Sequence, residues 1–289
     1  MDDFQTYRPL LFSIAYRMTG SASDAEDIVQ ESFLRYQAAS PEQVRSPKSY
    51  LSTIVTRLAL DRLKSAQAQR EQYIGPWLPE PLLTSDGAAP LQRVEQRESI
   101  ASAFLVLLES LNPQERAVFL LREVFEYEYA EIAEMLGLSA ANSRQIFHRA
   151  QQRLAERRRR YETSADAQRR IVERFLLAAQ RGDMAALTDV LAQDVVAWSD
   201  GGGKVTAGRN PIAGRDKVAR LVLGLTRKAF AGMRAELAEV NGAPALLIFV
   251  DGALVEVVSL AIAGGQIQSL HLVLNPDKLA FIRRQIQSR

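Results

Sequence analysis

The sequence predicts a multi-domain chain: two all-α blocks, the second containing a helix-turn-helix, followed by an α+β cone whose curved antiparallel sheet wraps helices around a pocket. Three observations carry this. Apolar residues recur at three- and four-residue spacing through positions 7–70 and 93–160. A proline-rich stretch at 71–92 breaks that period, because proline cannot continue a helix. Beyond residue 166, strand-type runs are separated by Asn241-Gly242, Asp251-Gly252 and Gly264-Gly265, the dipeptides of tight hairpins. At 289 residues the chain exceeds the roughly 100 to 200 of a single domain.

Within 1–70, Leu10, Leu11, Ile14, Ala15 and Met18 form the stripe of a first helix, which Gly20 ends. A second helix is expected to start at Ser23, with Glu26 three residues on in capping-box spacing. Its apolar side carries Ile28, Val29 and Phe33; its other side carries Asp24, Asp27 and Glu31, with Gln30 beside them. Ser46-Pro47 starts a third helix, a cap followed by proline at the first helical position. From Arg45 to Arg70 six basic residues face Asp61 alone, a local charge of +5.

The stretch 71–92 is a linker of unusual composition, since Ile74, Trp77, Leu78, Leu82 and Leu83 are apolar where a passive spacer is polar. Pro76-Trp77-Leu78-Pro79-Glu80-Pro81 is stiff and carries an aromatic anchor, a combination suited to docking. In the block 93–160, a short helix near Tyr129–Leu136, a turn at Gly137 and a cap at Ser139 lead into a long helix from Ala140. Ile146, Ala150 and Leu154 make its buried stripe, leaving Arg144, Gln145, His148, Arg149, Gln152 and Arg153 outward. From Arg144 to Arg160 seven arginines face Glu156, a charge of +6, as on a helix lying in a DNA major groove; Arg157 to Arg160 read as a nonspecific tail.

Composition excludes several classes. With no cysteine, disulfide scaffolds, thiolate metal sites and thiol catalysis are ruled out. Only His148 and His271 remain as imidazole ligands, so neither a metal nor a cofactor is expected. No membrane-spanning stretch is present and the N-terminus is acidic, so a cytoplasmic protein is expected. The net charge of +2 averages unlike parts: −2 over residues 1–165 and +4 over 166–289.

The segments DAEDIVQESFLRY and SPKSYLSTIVTRLALDRLK resemble the domain of extracytoplasmic-function sigma factors that binds core RNA polymerase and the minus-ten element. LNPQERAVFLLREVFEYEYAEIAEMLGLSAANSRQIFHRAQQRL resembles their minus-thirty-five domain. GPWLPEP, DGGGK and NPDKL, in that order, are similar to the subgroup with a fused SnoaL-like C-terminal domain (166–289) and no separate anti-sigma partner. The resemblance implies polymerase contacts at Asp24, Asp27, Gln30 and Glu31 on the largest subunit's clamp helices, with the flap region a further contact. It implies capture of the opened minus-ten strand by Arg57, Asp61, Arg62 and Lys64, and minus-thirty-five contacts by Arg144, Gln145, His148, Arg149 and Arg153. Trp77 and Pro79 are expected to dock near Asp200, Gly202, Lys204, Asn275, Asp277 and Lys278, regulating the spacing of the DNA-reading domains in cis. Tyr50 stands where many members have tryptophan, and Asn142-Ser143 replaces a common Thr-Val pair.

No catalytic residue is expected. The alternatives are a DNA-binding repressor, or a cone that senses a small-molecule effector or acts as an isomerase or cyclase. Such an enzyme needs a carboxylate or histidine in an apolar cavity, for which His271 with Asp200 or Glu256 is the candidate pair.

Overall fold

The computed structural model describes residues 2–40, 44, 46–70, 73–84, 101–155, 165–227 and 232–288. The run Arg157 to Arg160 and the C-terminal part of the expected linker lie outside these residues. The chain divides into two compact units, one formed by the helical blocks and the other by the C-terminal cone together with residues 73–84 and 101–103.

In the helical unit, α1 (Asp2–Thr19), α2 (Ala22–Ala38) and α3 (Pro47–Arg70) pack on one another. Leu11, Ile14, Ala15 and Met18 of α1, Ala25 and Ile28 of α2, and Leu51, Val55 and Ala59 of α3 are buried between them. The first helix starts earlier than its apolar stripe suggests and runs through Pro9, whose missing N–H costs one helical bond. Gly20, in the left-handed region at φ 69°, donates to the Tyr16 carbonyl and turns the chain. The N-cap of α2 is therefore Ser21, which accepts from the Asp24 N–H at 3.0 Å, and not Ser23 as its spacing to Glu26 suggests.

The second block contains α4 (Ser102–Leu108), α5 (Pro113–Glu123), α6 (Tyr129–Leu136) and α7 (Ala140–Ala155). Asn112 and Glu115 form a reciprocal capping box at the start of α5. Gly137 ends α6 in the left-handed conformation, and Ser139 accepts from the Asn142 N–H to start α7. Ile146, Phe147, Ala150 and Leu154 are buried, and Phe147 stacks on Phe119 of α5 at 6.0 Å.

The cone opens with α8 (Ala165–Arg181) and α9 (Met184–Val190), then β1 (Leu191–Asp200), β2 (Ile212–Ala213) and α10 (Arg215–Arg227). The meander β3 (Met233–Val240), β4 (Ala243–Val250), β5 (Ala253–Ala263) and β6 (Gln266–Val273) leads to α11 (Ala280–Gln287). Its three hairpin turns have positive φ at both central residues, the type I′ geometry that matches strand twist. Strand order is β2-β1-β6-β5-β4-β3. The expected antiparallel meander is β3 to β6; the sheet as a whole is mixed, since β1 joins it parallel to β6, with α10 and the meander intervening as a crossover. Bulges in β4–β5 and β5–β6 and an irregular start to β1–β6 bend the strands around the helices. Val172, Phe175, Leu187, Val218 and Val222 from the helices meet Leu246, Ile248, Val258, Leu260, Leu270 and Leu272 from the concave face.

Asn112→Ala removes the side chain that caps α5. It should destabilise the helical unit by about 1 kcal/mol, read as a lowered denaturation midpoint of the full chain.

Candidate nucleic-acid interface and linker clasp

The outward side of α7 presents Arg144, Gln145, His148, Arg149 and Arg153, all exposed, while Ser143 and Ile146 face the core. The capping Ser139 fixes where α7 begins, and Phe147 against Phe119 fixes its rotation. Arg144 lies over the Tyr129 ring at 5.5 Å. Arg153 is held back by Glu115, at 2.7 Å, so the carboxylate that caps α5 also ties α7 to it. Among the described residues, the other four side chains have no such acidic tether.

The sequence separates the residues expected to meet polymerase and those expected to meet the minus-ten strand into two sets, but the fold interleaves them. Arg62 of α3 pairs with Asp24 at 3.0 Å and Asp27 at 3.7 Å on α2. Glu31 pairs with Arg35 on its own helix, Lys64 lies 3.9 Å from Asp61, and Gln30 is exposed. Arg57 reaches the helix-turn-helix, donating to the carbonyls of Met135 at 2.8 Å and Glu134 at 3.3 Å, where the negative end of α6 favours a cation. Tyr127 adds a buried hydrogen bond to Ser52 of α3 at 2.8 Å, and Arg17 of α1 lies over Phe125 at 5.4 Å. Within this unit α1 and α3 thus pack against the second block.

In the other unit, residues 73–84 are built into the cone. The Asp200 carboxylate, at the end of β1, is fully buried and accepts three hydrogen bonds: from the Tyr73 hydroxyl at 2.5 Å, the Leu78 N–H at 2.7 Å and the Lys278 ammonium at 2.6 Å. Lys278 also donates to the Leu78 carbonyl at 2.5 Å and sits over the Trp77 ring at 4.1 Å and the Tyr73 ring at 4.9 Å. Burial and the bond to Asp200 push the Tyr73 phenol up. Asn275 donates to the Tyr73 hydroxyl at 2.9 Å, and Lys204 pairs with Asp277.

Gly202 has φ +59°, and a Cβ there would lie 2.2 Å from the Asn275 amide. Only glycine lets the DGGGK loop approach NPDKL this closely. Pro79 is buried, as are Leu78, Leu82 and Leu83. At the opposite edge of the sheet, Asn241 of the β3–β4 turn accepts from the Leu82 N–H at 2.8 Å, Gln285 accepts from the Leu83 N–H at 2.9 Å, and Leu83 bridges Val240. The linker so covers the end of an edge strand. Tyr73, Asn241 and Gln285 escape sequence reasoning: Asn241 reads as a turn residue, and no motif marks the other two.

The proposed acid/base pair is not assembled. His271 is in register with Trp198 and Ser259, whereas Glu256 pairs with Ile248 on the face that carries the helix-side core, so the two point to opposite faces. Asp200 is engaged by the linker. Burial pushes His271 down to about 4 and Glu256 up to about 7. One Glu256 oxygen is sealed without a hydrogen-bond partner among the described residues, although the residue as a whole is half-buried.

Two helical blocks, the second carrying a helix-turn-helix with an exposed basic second helix, have the architecture of a sigma factor. Residues 4–69 match the family model Sigma-70 region 2, and residues 101–154 match Sigma-70, region 4. The chain belongs to the extracytoplasmic-function (ECF) RNA polymerase sigma factors, which direct the polymerase in transcription initiation. It is 37% identical to the ECF RNA polymerase sigma factor SigJ of Mycobacterium tuberculosis over 96% of this chain and 92% of that protein. It is 33% identical to the probable ECF sigma factor SigI of the same organism, over 98% and 96%. The crystal structure of SigJ superposes with a TM-score of 0.80 at 34% identity, covering 96% of this chain and 97% of the other, so the cone is shared. No helix among the described residues is long and apolar enough to cross a membrane.

Lys278→Met leaves the Asp200 charge buried and unpaired, and should destabilise the cone by about 3–5 kcal/mol in denaturant unfolding. Adding Asp200→Asn should recover part of that loss.

Glu256 also makes stability pH-dependent. Its carboxyl titrates near 4.5 in an open chain and about 7 when folded, so the folded state keeps a proton that the unfolded state gives up. That contribution is complete below pH 4.5 and is lost as pH rises through 7. Glu256→Gln should therefore reduce the fall in unfolding midpoint between pH 5 and 8.

Proposed function

We propose that this ECF sigma factor meets core polymerase through Asp24, Asp27, Gln30 and Glu31, with the clamp helices and flap as its counterparts. In this reading Arg57, Asp61, Arg62 and Lys64 capture the melted minus-ten strand. Arg144, Gln145, His148 and Arg149 read the minus-thirty-five duplex, with Arg153 bracing the helix. It acts in the cytoplasm, where polymerase and promoter are.

The cone is a regulator in cis and not an enzyme. The observation that carries this is the clasp itself: Tyr73, Trp77 and Leu78, which lie between the two DNA-reading blocks in sequence, are held by Asp200 and Lys278 of the C-terminal domain. Whether the clasp is open or closed sets how much chain is free between those blocks. A domain that holds the linker within the same polypeptide makes a separate anti-sigma factor unnecessary. The separation of Glu256 from His271 supports regulation over catalysis.

In reconstituted transcription with purified core polymerase, removal of residues 166–289 should change promoter output severalfold while specific initiation persists. Output indistinguishable from the full chain would refute cis regulation. Charge reversal at Asp24, Asp27 and Glu31 together should weaken core association at least tenfold without altering the circular dichroism of the protein.

A further inference from the structure

The ion pair between α2 and α3 joins two surfaces that the reading above assigns to different partners. Arg62 is a minus-ten residue, and its guanidinium is taken by Asp24 at 3.0 Å and Asp27 at 3.7 Å, which are polymerase residues. We propose that Asp24 and Asp27 are positioning residues for strand capture: they hold Arg62 back from DNA in the free protein and release it when the polymerase engages them. This rests on the assignment of both surfaces just given.

A guanidinium presents one planar fork, and carboxylate and phosphate oxygens compete for the same donors. While Asp24 occupies Nε, the fork is partly spent and its charge partly cancelled. A cationic polymerase surface that draws the two carboxylates away leaves Arg62 unpaired beside the strand path. Linkage makes the effect reciprocal, so whatever pairs with Arg62 must also free the carboxylates for polymerase. Arg62 and Asp27 are 47% and 73% exposed, while Asp24 is 30% exposed. Exposed pairs of this kind are weak, and the expected coupling is about two- to fivefold. Glu31 supplies an internal control: it is an acid of the same surface, but its partner is Arg35 of its own helix.

The test uses the full-length protein without polymerase and a short fluorescein-labelled oligothymidylate, with affinity read by anisotropy at low salt. Asp24→Asn should tighten binding about two- to fivefold, and Glu31→Gln should tighten it less. Arg62→Gln should weaken binding, and in that background Asp24→Asn should add no more than Glu31→Gln does, a non-additivity that general charge removal does not produce. Arg62→Gln should also raise affinity for core polymerase by a similar factor. Equal gains from Asp24→Asn in both backgrounds, with Arg62→Gln still weakening the strand, would overturn the coupling alone. No effect of Arg62→Gln on the strand would overturn the minus-ten assignment and the coupling with it.

Discussion

A carboxylate and an ammonium group lie out of water together at the end of β1, each the counter-charge of the other. Asp200 is completely buried and Lys278 nearly so. Their attraction offsets the cost of dehydration only because the remaining bonding capacity of both is filled. The linker does that filling: Tyr73 and the Leu78 N–H complete the carboxylate, while the Leu78 carbonyl and two aromatic rings surround the ammonium. The close approach at Gly202 and the bond from Asn275 to Tyr73 follow from the need to bring three distant segments to one point. A passive spacer between two helical blocks thereby becomes part of a third domain's structure.

The helical unit uses charge differently. Its ion pairs are mostly exposed and individually weak, and those of Arg62 link residues proposed for separate tasks. Arg57 serves as a C-terminal partner for α6, and Arg62 as a counterion for α2. The near-neutral total of the chain is thus a sum of segments that compensate one another locally. Strong charge is concentrated on α7, where Arg144, Gln145, His148 and Arg149 stand outward with no acidic partner among the described residues.

Much of this was legible from residue spacing. Gly137 and Ser139 bracket the helix-turn-helix because each solves a local backbone problem, and the three turn dipeptides dictate three hairpins in the same way. The aromatic-proline segment announces a docked linker by its composition, though not the identity of its partners. Non-local outcomes were hidden. The Ser21 cap depends on the geometry at Gly20, the parallel pairing of β1 with β6 joins strands far apart in the chain, and the opposed faces of Glu256 and His271 depend on register. Asn241 does two jobs, and only its turn role has a local signature.

The clasp also has an order in time. Leu78 leaves the ribosome two hundred residues before Lys278, its partner. At roughly 5 to 20 residues per second, that gap lasts about 10 to 40 seconds. The first helical block precedes Leu78 and the second is made within this interval, so both are free to fold while Trp77, Leu78, Leu82 and Leu83 have no complete cone to enter. A nascent chain therefore passes through a stage in which both sigma-70 regions exist and the cone that holds their linker does not. Residues such as Pro76, Pro79 and Pro81, which keep the apolar linker from adding to a sheet, protect it during that wait.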